Sequence, residues 1–198
     1  MNDPIPLLAL KTLSALGVTS LHGMKSLNLL RSRYPGILVD SFSAFRTDTS
    51  LPPFPDDISG LSVTRGDTRL ILYRDGMQVG RRNFTIAHEL GHLLLRHTSA
   101  DTSAEREADC FAESLLIPSS FVVLLERKTG KRLLPEDMLR YFPVSLSVCR
   151  IKRREMDLPS FPYPTEAEFL IAEPFFNGTF SSDPYAVAEN AWLYPDMK

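Results

Sequence analysis

With 198 residues, 43% of them hydrophobic and 23% charged, the chain can build one well-cored domain and lacks the charge-rich, apolar-poor signature of disorder. A formal charge of −2 gives no global pull towards nucleic acid or an anionic membrane, so any such contact needs a local patch. The start, Met1-Asn2-Asp3-Pro4, lacks the positive and apolar character of an export signal, and no window approaches a membrane span. Cys110 and Cys149 have no paired spacing, so the expectation is a cytoplasmic protein with two plain thiols.

Residues 4–33 read as helical fragments: Leu21, Met24, Leu27 and Leu30 recur every three positions until Tyr34-Pro35-Gly36 forces a break. The stretch 37–57 is mixed, and its end reads as loop because Pro52, Pro53 and Pro55 fit no regular interior. Residues 61–64 and 69–73, β-branched and joined by Arg65-Gly66-Asp67, predict an antiparallel hairpin that a turn at Asp75-Gly76 closes. A helix is predicted over 84–97. Another is expected over 103–116, capped by Ser103 and stopped by Pro118. Helical pieces follow at 119–129, 135–142 and 145–156, the last two flanking Phe142-Pro143-Val144-Ser145 as in a helix-turn-helix. The proline- and aromatic-rich end is too sticky for a free linker; it should pack on the body in extended segments, with strands near 168–172 and 190–194.

The decisive segment is His88-Glu89-Leu90-Gly91-His92. Residues four apart on a helix lie nearly over one another, so His88 and His92 can offer ring nitrogens to one ion from the same face. Glu89 lies about 100° round the helix, near enough to handle a water without taking a coordination position. His-Glu-x-x-His is the signature of zinc metallopeptidases, in which the glutamate is the general base. Chance can produce a five-residue match, but Phe84, Ile86, Ala87 and Leu93-Leu94-Leu95 make this helix apolar around its circumference. Two histidines and a glutamate buried there without partners would be costly, and a bound cation removes that cost.

Catalytic zinc usually takes three protein ligands. The metzincin pattern would need glycine and histidine where Leu95 and Thr98 stand, which excludes that class. His97 falls about 140° from His92 on a continuous helix and is expected to point away as an ordinary boundary histidine, like His22. On the second helix Ala104, Ala108, Phe111, Ala112, Leu115 and Leu116 define an apolar stripe. Glu105 lies roughly 60° from its centre, against about 100° for Glu107 and about 140° for Glu113. Glu105 is thus the carboxylate expected to face inwards, while Glu107 and Glu113 read as solvated charge. Asp109, one turn beyond Glu105, is spaced to accept a hydrogen bond from a ligand imidazole and fix its orientation.

Phe84 to His92, followed by Glu105-Arg106-Glu107-Ala108-Asp109-Cys110-Phe111-Ala112 and Leu115-Leu116-Ile117-Pro118, closely resembles the ImmA/IrrE family of zinc metallopeptidases. The matching core covers roughly 58–118, with weaker similarity to about 157, and Asp109 stands where asparagine is frequent. The resemblance implies an α+β fold: a zincin-like domain with a small sheet beside the active-site helix, followed by a helical HTH-like segment. Its boundaries would be 1–118 for the peptidase core, 119–157 for the helical segment and 158–198 for the tail. It also implies a Zn2+ cofactor, a carboxylate third ligand, and as protein partner a helix-turn-helix repressor encoded nearby and cleaved in a stress or mobile-element response.

In that endopeptidase, Glu89 would take a proton from water and pass it to the leaving amine, and the strand over 61–64 could receive substrate backbone. Tyr73, Arg82 and Tyr141 are candidates for stabilising the oxyanion. The competing reading is a DNA-binding transcriptional regulator that sets Arg150, Lys152, Arg153 and Arg154 of 135–156 on phosphates, with the metal site as sensor or relic. The net negative charge argues against it, and a purely structural zinc site would be four-ligand and cysteine-rich, unlike this sequence.

Overall fold

The structure, a computed structural model, describes residues 3–29, 36–45, 57–99 and 101–177. Helix α1 (Ile5–Ala15) starts on Pro4 and Pro6, whose fixed φ suits a first turn, and buries Ala9, Leu10 and Leu13. Helix α2 (Leu21–Lys25) is capped by Ser20, whose hydroxyl accepts from the Gly23 N–H at 3.1 Å. Leu27 is buried beyond the end of α2, so the three-residue spacing seen in the sequence outlasts the helix, and Leu29 is buried beside it.

The stretch read as mixed opens with a strand, β1 (Ile37–Ser41), and one helical turn, α3 (Phe42–Phe45). The expected hairpin is present as β2 (Gly60–Arg65) and β3 (Thr68–Tyr73), paired antiparallel. β1 joins β3 in parallel, Ile37 opposite Arg69, giving the order β1-β3-β2. This leaves one side of β2 without a strand neighbour among the described residues. Ile71 and Leu72 of the central strand are fully buried.

Helix α4 (Val79–Leu95) begins five residues before the expected Phe84. The polar run Arg81-Arg82-Asn83 hid this start, because Asn83 is wholly buried for a purpose. Its side-chain oxygen accepts from Leu29 N–H at 3.2 Å and its amide nitrogen donates to the Leu27 carbonyl at 3.0 Å. At the other end Arg96 adopts φ 59°, a left-handed cap that stops the helix before His97.

Helix α5 (Thr102–Leu116) is capped by Asp101 rather than by Ser103: its carboxylate accepts from the N–H groups of Ser103 at 2.9 Å and Ala104 at 3.0 Å. Helix α6 (Ser119–Thr129) follows from Pro118. Against the expectation that no window approaches a membrane span, Thr102–Thr129 taken together is long and apolar enough to cross a membrane; 78% of its most apolar window is buried within the protein, as in a core helix. The helix expected over 135–142 shrinks to one turn, α7 (Pro135–Met138), and α8 (Leu146–Met156) starts at its Ser145 cap.

The strand expected near 168–172 is instead a helix, α9 (Glu166–Ala172). A reciprocal cap decides it: Glu168 N–H donates to the Thr165 hydroxyl at 3.3 Å, and Thr165 N–H donates to the Glu168 carboxylate at 3.1 Å. A 3₁₀ turn (Glu173–Phe176) then lays Phe175 and Phe176 on Phe121, ring centroids 4.9 and 5.5 Å apart. So residues 165–176 do pack on the body, though as helix rather than strand. The expected strand near 190–194 and the loop at 52–56 lie outside the described residues.

The core joins α1, α4, α5 and α6 around Leu10, Leu90, Phe111, Leu115 and Phe121. Burying side chains of this size stabilises by about 1.5–3 kcal/mol each. Their packing fixes α5 against α4, which positions the site.

Candidate metal centre

His88, Glu89 and His92 come from α4 and Glu105 and Asp109 from α5. The helices approach so closely because residue 91 has no side chain: a Cβ there would stand 3.2 Å from the Cα of Ala108 and from the Cβ and Cδ1 of Phe111. At that separation the Nε2 atoms of His88 and His92 lie 3.0 Å apart. The Glu105 carboxylate sits 3.3 Å from the first and 3.5 Å from the second. These three residues form the one group among the described residues whose donor atoms converge as metal ligands would.

The donors suit a small cation. Asp109 Oδ1 lies 2.8 Å from His88 Nδ1. An ionised carboxylate only accepts, so His88 carries its proton on Nδ1 and presents a bare Nε2 to the cluster. Two nitrogens bound at the usual ~2.0–2.1 Å to one tetrahedral ion would stand about 3.4 Å apart, close to the spacings found. Burial, with His88 beside it, holds His92 below the usual imidazole range, which favours the neutral, ligating form.

Glu89 sits beside this cluster and is nearly enclosed, 9% exposed. Burial pushes its carboxyl up, against the Ser62 hydroxyl and N–H that bond it and the nearby His88. β2 can come this near because of Gly60, where a Cβ would meet Thr85 Cγ2 at 2.5 Å and Glu89 Oε1 at 3.0 Å. A cleft of about 1470 Å³ opens over the cluster. It runs between Gly60-Leu61-Ser62 on the open side of β2 and a wall formed by Val144, Ser145 and Val148, with Ser26, Leu27 and Asn28 also on its rim.

The sequence therefore named the residues that meet here, and some of their neighbours behave differently from expectation. Tyr73, Arg82 and Tyr141 do not line the cleft, and the Arg82 guanidinium stacks 5.9 Å from the centroid of the Tyr73 ring. Glu113 is half-buried beside Lys152 and Glu155 of α8 rather than solvated, and burial pushes its carboxyl up. His97 does not point away. The angular argument assumed a continuous helix, but the chain turns at Arg96, and His97 Nδ1 comes within 2.9 Å of His92 Nδ1. Its Nε2 then lies 3.2 Å from Glu107 Oε2. Only the loss of apolar residues after Leu95 hinted at this in the sequence. His22 is exposed on α2, as expected.

Residues 43–152 match the family model described as the IrrE N-terminal-like domain, Peptidase_M78. No curated protein matches the chain. A solved structure titled "Mycobacterium tuberculosis transcriptional regulator" is similar over 79% of this chain and 48% of its own length, at 18% identity and a TM-score of 0.44, so the chain spans about half of that protein. With more than half of its residues matched, this α+β chain, in which His88, His92 and Glu105 lie together, belongs to the Peptidase_M78 (IrrE N-terminal-like) family of metallopeptidases.

Proposed function

We propose that the protein is a zinc-dependent endopeptidase of zincin-like architecture that cuts a helix-turn-helix repressor at a defined site in the cytoplasm. The observation that carries this reading is the enclosed carboxylate of Glu89 next to three converging donors, all lining a cleft of about 1470 Å³. His88, His92 and Glu105 would hold the zinc, which when bound polarises the scissile carbonyl and acidifies water.

The remaining steps belong to the protein's own groups. An extended substrate can lie along the open side of β2, where Gly60-Leu61-Ser62 offer backbone groups for strand addition. Glu89, its basicity raised by enclosure, accepts the proton of the attacking water and delivers it to the leaving amine. Asp109 keeps His88 in the tautomer that ligates.

The repressor is the substrate that the resemblance to the ImmA/IrrE family suggests. The alternative, in which α8 reads DNA, loses support from three of the four basic residues it needs, Arg154 being exposed. Lys152 is buried, Arg153 is engaged by Glu126 at 2.7 Å and Asp157 at 2.9 Å, and Arg150 faces Glu136 at 3.7 Å.

The test is to incubate zinc-loaded protein with a helix-turn-helix repressor encoded beside it and resolve the products by mass spectrometry. A single cleavage, abolished by chelator and by Glu89→Gln, is expected. Fragments that persist in Glu89→Gln would sink the mechanism, and absence of cleavage with retarded duplex DNA would favour the regulator.

A further inference from the structure

We propose that His97 and Glu107 are positioning residues for the metal site: a relay of two hydrogen bonds that locks the ring and the tautomer of His92. The inference rests on reading His88, His92 and Glu105 as metal ligands.

The polarity of the relay follows from its outer end. Glu107 projects from the exposed face of α5, and its carboxylate can only accept, so the His97 nitrogen facing it, Nε2 at 3.2 Å, carries a proton. With its single N–H placed there, the His97 ring turns a bare Nδ1 to His92. That bare atom lies 2.9 Å from His92 Nδ1, which must therefore donate. His92 is left with a bare Nε2, the atom that points at His88 Nε2 and Glu105.

Asp109 imposes the same outcome on His88 through one bond, so both imidazoles are held with their lone pairs turned to the same point. His97 takes no place among the donors, since it meets His92 on the ring nitrogen remote from them. The left-handed Arg96 makes the relay possible by ending α4 and returning His97 to the helix it has just left.

Outer partners of ligand histidines typically govern metal affinity by 10- to 100-fold. The experiment measures zinc affinity by competition with a chromophoric chelator, and the His92 tautomer in metal-free protein by long-range 1H–15N correlation, in wild type, His97→Phe, His97→Gln and Glu107→Ala. Glu107 is exposed, so Glu107→Ala tests the relay without threatening the fold.

His97→Phe and Glu107→Ala should weaken zinc binding by about 10- to 100-fold and release His92 into mixed tautomers. His97→Gln, whose amide can accept from His92 and donate to Glu107, should remain close to wild type. Wild-type affinity with an unchanged His92 tautomer in both disruptive variants would overturn the relay, as would a glutamine variant no better than phenylalanine. His88→Ala separates the two levels: zinc uptake that survives it refutes the ligand set and the relay together. Uptake lost there but unaffected in His97→Phe and Glu107→Ala refutes the relay alone.

Discussion

Gly91 and Phe111 meet where α4 crosses α5, so closely that a methyl group would fit only if its neighbours gave by a few tenths of an ångström: the Phe111 Cβ and Cδ1 stand 3.2 Å from where a Cβ would be. Both neighbours are rigid, one a ring and the other the Ala108 backbone at the same distance. Gly91→Ala should therefore force α5 outwards, cost about 1–3 kcal/mol of stability and weaken metal binding although no ligand has changed. Urea unfolding of the metal-free protein and chelator competition measure the two effects. A folded variant with undiminished affinity would show that the helix separation is set elsewhere.

A second close approach ties the sheet to α4. Gly60→Ala places a methyl group 2.5 Å from Thr85 Cγ2, so β2 must retreat from Glu89. Thr85→Ser removes that methyl, and the double variant should recover part of the lost stability, with a coupling energy of roughly 0.5–3 kcal/mol in a double-mutant cycle. Strict additivity would mean that the strain is relieved at the Glu89 side chain instead.

Glu89→Gln should lower peptidase turnover by about 10²- to 10⁴-fold while zinc stays bound, because the amide keeps the shape of the side chain and loses its basicity. The same change should stabilise the metal-free protein at neutral pH. Burial raises the carboxyl in the folded state, so above its ordinary value of 4.5 the folded chain holds more protons than the unfolded one, and stability falls as pH climbs through the raised value. Glutamine escapes that loss. Melting curves of the two proteins should diverge at pH 7 and converge below the ordinary carboxylate range; a constant gap would remove ionisation as its cause.

Arg96 adopts a φ of 59°, a conformation that costs an L-residue roughly 1–2 kcal/mol relative to glycine. Arg96→Gly should raise the melting temperature by about 2–4 °C per kcal/mol recovered, less the entropy that glycine adds to the unfolded chain. Calorimetry of the metal-free protein checks this. A fall in melting temperature would show that the arginine side chain contributes more than its backbone costs.

The convergence of His88, His92 and Glu105 was legible because its geometry is local. His88, Glu89 and His92 lie within two turns of one helix, and the apolar stripe of α5 left Glu105 as the acid turned towards it. The hairpin was legible for the same reason, since β2 and β3 are joined by a two-residue turn. What escaped depends on contacts distant in sequence or on one backbone angle. β1 is completed by β3, far along the chain, and Asn83 looks like a surface residue until Leu27 and Leu29 are set beside it. His97 was misplaced because periodicity cannot see the residue at which a helix stops. At 168–172 the pattern misled because a threonine and a glutamate three residues apart outweighed the aromatic character of their neighbours.

Asn83 gives Leu27 and Leu29 the donor and acceptor that an adjoining strand would have supplied, and so fastens that stretch of chain to α4. That stretch precedes the span matched by the family model, 43–152, yet Ser26, Leu27 and Asn28 line the cleft over the histidine cluster. The two borders of the cleft thus differ in how they are held: one is built from the matched span, and the other is tied to it by the Asn83 amide, by Lys25 on the Leu139 and Phe142 carbonyls, and by the buried Leu27 and Leu29. Loosening that tie would displace the 26–28 border while leaving His88, His92 and Glu105, which α4 and α5 hold by themselves, in place.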